Sequence, residues 1–109
     1  MRQTTRSPFE QYRVTRWLLA PEAADDLDRL SDFLLETAPN IAVETVDLIL
    51  DALNVLARHP RMGRPVRSGL RELVISRGGT GYLSLYSYDE QTDVALVLAV
   101  RHQRELDYH

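Results

Sequence analysis

Between Pro21 and Arg58 apolar residues recur at helical spacing, and Pro39 cuts that pattern in two. The first half carries Ala23, Leu27, Leu30 and Leu34 on one stripe, with Asp26, Arg29, Asp32 and Glu36 largely on the other side. Pro21 suits a first helical position, and Glu22, Asp25 and Asp26 in the opening turns favour the helix dipole. Pro39 stops this helix, and Asn40 is a good cap for a second one running from about Ile41 to Arg58. The second stripe is Ala42, Val46, Ile49, Leu53 and Leu56. Two amphipathic helices joined by so short a break form an antiparallel hairpin. Its expected role is to cover one face of a sheet.

The strands for that sheet flank the hairpin. "VTRWLL" (Val14 to Leu19) has the β-branched and aromatic content of a first strand. After a Pro/Gly loop, "HPRMGRPVRSG" (His59 to Gly69), come "LRELVIS" (Leu70 to Ser76), "YLSLYSY" (Tyr82 to Tyr88) and "VALVLAV" (Val94 to Val100). "RGGTG" and "DEQTD" are short enough to close hairpins between them. The middle strand alternates, with Leu83 and Leu85 on one face and Tyr82, Ser84, Tyr86 and Tyr88 on the other. The last is apolar on both faces, which places it centrally. The predicted fold is therefore α+β, in the order β-α-α-β-β-β, with the helical hairpin packed on a small, curved, mainly antiparallel sheet.

Length and composition restrict the function classes. A chain of 109 residues supports one core, and Cys is absent, which removes disulfides and thiolate chemistry and makes the cytoplasm the expected compartment. No run reaches the roughly 20 apolar residues of a membrane helix. Residues 1–13 lack periodicity and an apolar stretch, so they read as a flexible extension ahead of a domain at 14–109, not as a secretory signal. Net charge is −3, but its distribution is uneven. Residues 1–57 hold five Arg against ten acids, and residues 58–109 hold eight Arg against six acids. Two surfaces of opposite sign imply different partners.

The chemistry on offer is limited. His59, His102 and His109 are far apart and follow no ligand spacing, so no metal or cofactor is expected. Ser76, Ser84 and Ser87 lie in strands with no nucleophile-elbow motif. RNA cleavage by general acid–base chemistry needs a proton acceptor, a proton donor and cations for the phosphorane charge. Arg71, Arg77, Tyr82, Arg101, His102, Arg104 and Tyr108 supply those types, and Arg71 with Arg77 share strand parity. Solvated strand-end charges and a sheet-capping His102 are the favoured reading of the same residues. Arg58, Arg61, Arg64 and Arg67 recur at every third position of the loop, a density suited either to phosphate or acidic protein or to plain solvation.

Four segments taken together are more specific: "APEAADDLDRLSDFL", "RHPRMGRPV", "SGLRELVISRGGTGYLSLYSYD" and "VLAVRHQRELDY". In this order and spacing, over residues 14 to 108, the chain resembles the ParE branch of the RelE/ParE toxins of bacterial type II toxin–antitoxin systems. The resemblance implies the fold reached above and a cognate antitoxin that neutralises the toxin by direct binding. It also implies DNA gyrase as the target, plasmid stabilisation as the setting, and no reaction catalysed by the toxin itself. Direct nucleic-acid binding by the toxin alone is not expected. The RelE branch, a set of ribosome-dependent mRNA endoribonucleases, is the alternative, as is a non-toxic remnant that only binds antitoxin. A nuclease would use Arg71, Arg77, Arg101, His102, Arg104 and Tyr108, yet the ending "RHQRE" is ParE-like and the chain has no lysine. For target or antitoxin binding the candidates are Arg64, Arg71, Arg77, Tyr82, Arg101, His102 and Arg104. Leu30, Leu34 and Leu53 are candidate groove residues of the hairpin, although leucines so placed are more often core than contact.

Overall fold

The structure, a computed structural model, describes residues 14–77 and 80–103. A short strand β1 (Arg16–Leu19) leads directly into helix α1 (Pro21–Thr37) and helix α2 (Pro39–Asn54). A 3-10 turn, Val55–Ala57, then enters the loop. The remaining strands are β2 (Arg64–Pro65), β3 (Leu70–Arg77), β4 (Thr80–Asp89) and β5 (Val94–His102). The sheet runs β1-β5-β4-β3-β2, parallel between β1 and β5 and antiparallel elsewhere. The predicted order of elements and the interior position of β5 are both found. The two-residue β2 is an addition, a strand within the stretch expected to be loop. It forms because Arg64 and Pro65 pair with Glu72 and Arg71 of β3.

One residue, Ala38, separates the two helices, and Asn40 is not the cap that its type suggests. Ala38 caps α2 without a side-chain bond, and Pro39 takes the first helical position. A proline loses nothing there, because its missing N–H would have no partner in any case and its φ is already helical. The hairpin places Ala23, Leu27, Leu34, Ala42, Ile49 and Leu53 in the interior. Of the three groove candidates, Leu34 and Leu53 are core, the commoner place for such leucines, and Leu30 packs half-buried against the core. Buried Thr45 takes a place on the α2 stripe, where Val46 is only half-buried.

The alternation in β4 resolves in favour of its tyrosines. Tyr82, Ser84 and Tyr86 lie buried on the face that the helices cover, with Leu73, Ile75, Ala95, Val97 and Val100 around them. Leu83 and Leu85 take the opposite face with Val74 and Leu18, which no helix covers. A slip of register between Leu85 and Tyr86 keeps Val97 and Val100 both on the covered side. Without that bulge the strict two-residue period would turn one of them outward.

Asp26 is the departure with the largest structural effect. The helical pattern sends it to solvent, yet it is buried at 5% exposure. Pairing between β1 and β5 ends at Leu19 opposite Val97, so the rest of that β5 edge has no strand beside it. There α1 lies across, and Asp26 Oδ2 accepts the Val100 N–H at 3.0 Å. Its Oδ1 is paired with the guanidiniums of Arg29 and Arg101. A buried N–H left without its acceptor costs about 1–3 kcal/mol. Asp26→Ala should therefore lower the unfolding free energy by about that amount in urea titrations, and Asp26→Asn, which keeps an acceptor, by less. Equal stability of Asp26→Ala and the parent would rule out this role.

Candidate functional site

The Pro/Gly loop is the most heavily anchored irregular segment among the described residues. Arg71 of β3 and Tyr86 of β4 face each other across the ladder on the covered side of the sheet. Tyr86 is fully buried, and its hydroxyl lies at the sheet margin, where it donates to the Pro60 carbonyl and accepts the Gly63 N–H, both at 2.8 Å. Arg71 Nη1 donates to the carbonyls of Arg61 at 2.9 Å and Gly63 at 2.7 Å. Arg64 closes the far side, its Nε and Nη2 both donating to Glu72 Oε1 at 2.9 and 2.7 Å. Gly63 has no room for a side chain. A Cβ would sit 2.7 Å from Tyr86 Cε1 and 2.9 Å from the Glu72 carbonyl oxygen.

Arg61 ties the loop to the β4–β5 turn. It pairs with Glu90 and lies over the Tyr88 ring, 5.1 Å from its centre. Tyr88 donates to Asp93 Oδ1 at 2.7 Å, and Thr15 donates to the same oxygen at 2.6 Å. Asp93 holds a left-handed φ of 56, a conformation its short polar side chain tolerates better than most. The Asp93 hydrogen bond, with burial and the carboxylate charge behind it, raises the Tyr88 phenol above its ordinary 10.0, while Thr15 and Arg61 oppose it. Beyond these contacts Arg58 and Arg67 stay exposed, and Met62 is 60% exposed.

The other sequence candidates lie elsewhere. His102 meets Tyr82 edge to face, with ring centres 5.2 Å apart. Arg71 is level with Tyr86 and His102 with Tyr82, four residues apart along β4. At ~3.3 Å per residue the two positions are about 13 Å apart. Arg101 reaches round the β5 edge to Asp26. Arg71, Arg101 and His102 thus do not converge on one point. Ser84 Oγ is buried without a hydrogen-bond partner, so no neighbouring base activates it. The Arg77 side chain, Arg104, Tyr108 and residues 1–13 lie outside the described residues. Among those described, no group of His, Asp and Glu is placed to hold a metal ion, and no helix is long and apolar enough to cross a membrane. Sequence reasoning passed over Tyr86, Gly63 and Asp93 as functional positions. The proximity of Pro60 and Gly63 to a strand rich in Tyr was the available signal.

The model of the family described as "ParE toxin of type II toxin-antitoxin system, parDE" matches residues 18–107. The chain belongs to that family. Toxin RelE3 of Caulobacter vibrioides is 37% identical over 87 residues, which is 80% of this chain and 92% of the relative. Among solved structures, a chain of the chromosomal ParDE system of P. aeruginosa shares the fold. It has a TM-score of 0.68 at 21% identity, with 81% of this chain and 95% of that one covered. A chain of the RelBE2 toxin–antitoxin complex of Mycobacterium tuberculosis gives a TM-score of 0.53 at 28% identity, covering 82% and 98%. Two helices on a five-stranded mixed sheet are thus the architecture of this ParE-family toxin and of its relatives.

Two measurements test the anchoring. Gly63→Ala should destabilise the toxin by about 1–3 kcal/mol, the usual cost of forcing extra atoms into a filled site; denaturation at the parent's midpoint would refute the close packing. The Tyr88 proton is held more tightly in the folded toxin than in the unfolded chain. Its contribution to stability is therefore complete below pH 10.0 and is lost as pH rises through the raised folded-state value. An ultraviolet tyrosinate titration should contain a component above 10.0 that Tyr88→Phe lacks, and superimposable curves would disprove it.

Proposed function

We propose that this ParE-family protein is a toxin that inhibits DNA gyrase and is neutralised by direct binding of a cognate antitoxin. The toxin domain begins at residue 14, with residues 1–13 as an extension. The observation carrying the target assignment is the division of labour among the cations. Arg71 is occupied by two backbone carbonyls and Arg101 by Asp26, and His102 lies far along the sheet from Arg71. A phosphorane would need these groups around one point. The arrangement favours a protein that acts by binding, with the β5 end around Tyr82, Arg101 and His102 as part of its contact edge.

An antitoxin partner is supported by the apolar surface left open. Leu18 and Val74 on the uncovered sheet face are 43% and 51% exposed. Phe33, Leu35 and Val43 on the hairpin are 60%, 53% and 69% exposed. Apolar area of this kind marks an interaction surface. A folding-on-binding segment would cover it with apolar anchors. The structural relatives come from a toxin–antitoxin system and a toxin–antitoxin complex.

A second reading, an mRNA endoribonuclease, rests on the name of the relative, Toxin RelE3. Purified toxin at stoichiometric excess should abolish supercoiling by gyrase and accumulate cleaved DNA complexes. Unaffected gyrase overturns the target assignment. New 5′ ends in messages from cells expressing the toxin would then install the nuclease reading, and normal growth without antitoxin would indicate a non-toxic remnant.

A further inference from the structure

The arginine series of the Pro/Gly loop divides into two kinds, and the function described so far uses neither. Arg61 and Arg64, themselves exposed, are paired with Glu90 and Glu72. Arg58 and Arg67 are exposed, with no acidic partner among the described residues, and they flank the exposed Met62 in sequence. The backbone beneath Met62 is held at the carbonyls of Pro60, Arg61 and Gly63 and at the Gly63 N–H, while the Met62 N–H is turned back onto the His59 carbonyl at 3.0 Å. A loop fixed in this way loses little further freedom when it docks. An exposed methionine on a loop fixed in this way, with an exposed arginine four residues before it and another five residues after it, offers an apolar anchor with cationic neighbours along the chain.

We infer that the Arg58–Met62–Arg67 loop is a docking element for an acidic protein surface that carries an apolar recess. This rests on the reading that the toxin acts on gyrase and names a further part of the toxin, besides the β5 end, that meets it. Phosphate alone would engage the arginines but offers nothing to Met62, whose flexible thioether suits an irregular apolar pocket. Charge distribution adds direction. The helices expose Glu22, Asp25, Asp28, Asp32, Glu36, Glu44, Asp47 and Asp51, so an acidic partner is repelled from the hairpin and attracted to the loop.

The test measures binding of full-length toxin to purified DNA gyrase without DNA, at low and high salt. In parallel it measures binding to bare duplex DNA. Arg58→Glu/Arg67→Glu should weaken gyrase binding on the order of tenfold or more at low salt, with a smaller difference at high salt. Met62→Ala should weaken it several-fold at both salts. Melting curves check that the variants fold, and Arg58→Gln/Arg67→Gln replaces the reversal if it does not. If the parent binds gyrase and the variants bind equally well, the loop inference is wrong while the gyrase reading stands. Equal losses on bare duplex DNA would make the loop a phosphate surface and overturn the inference. A parent toxin that neither binds nor inhibits gyrase removes the gyrase reading, and the loop assignment with it.

Discussion

Because β1 is only four residues long, it leaves half of the neighbouring β5 edge without a strand partner, and the buried Asp26 carboxylate makes up the difference. A longer β1 would have closed the edge with backbone. Here a helix residue does so, and this fixes where α1 lies on the sheet. The same carboxylate takes Arg29 from its own helix and Arg101 from the strand. Its burial is tolerable because three donors surround it; an isolated buried carboxylate would be expelled or neutralised. The start of the helix, the edge of the sheet and the charged end of β5 are thus one coupled unit.

The opposite end of the sheet follows a similar logic with different groups. Tyr86 places an aromatic body in the core and its hydroxyl at the margin, where it serves both a donor and an acceptor of the loop. Arg71 completes the set. Its Nη1 serves two carbonyls at once, one through each of its N–H groups. The irregular chain from His59 to Gly69 therefore behaves as part of the scaffold. Its exposed side chains are displayed on a rigid support, and the covered tyrosine face of β4 is the reason.

Most of the fold was readable from periodicity and proline. The helical stripes, the break at Pro39 and the doubly apolar β5 depend on local pattern and were found, although the second helix ends at Asn54, four residues short of the expected Arg58, where a 3-10 turn takes over. Apart from the cap at Asn40 and the end of the second helix, the failures were tertiary. Asp26 sits on what the pattern calls a polar face, and only the short reach of β1 makes that position an interior one. Strand β2 carries no strand-like sequence and exists because Glu72 and Arg71 are opposite it. The alternation of β4 separated leucines from tyrosines without saying which set the helices would cover. Residue type pointed to leucine, and packing chose tyrosine, whose hydroxyls had partners waiting at the margin.

For the candidate site, type and parity were similarly incomplete guides. Arg71 has the charge and the strand position of a phosphate-binding residue, and sequence has no means of showing that its guanidinium is already occupied. Arg101 presents the same ambiguity with Asp26. Among the loop arginines, Arg58 and Arg67 remain available, in a series whose regular spacing suited phosphate or acidic protein as well as plain solvation. In an all-arginine chain, cation count says little about function until each guanidinium is assigned a partner. Among the described residues, Glu72, Glu90, Asp26 and the loop carbonyls take Arg64, Arg61, Arg29, Arg101 and Arg71, while the exposed acids are concentrated on the helices.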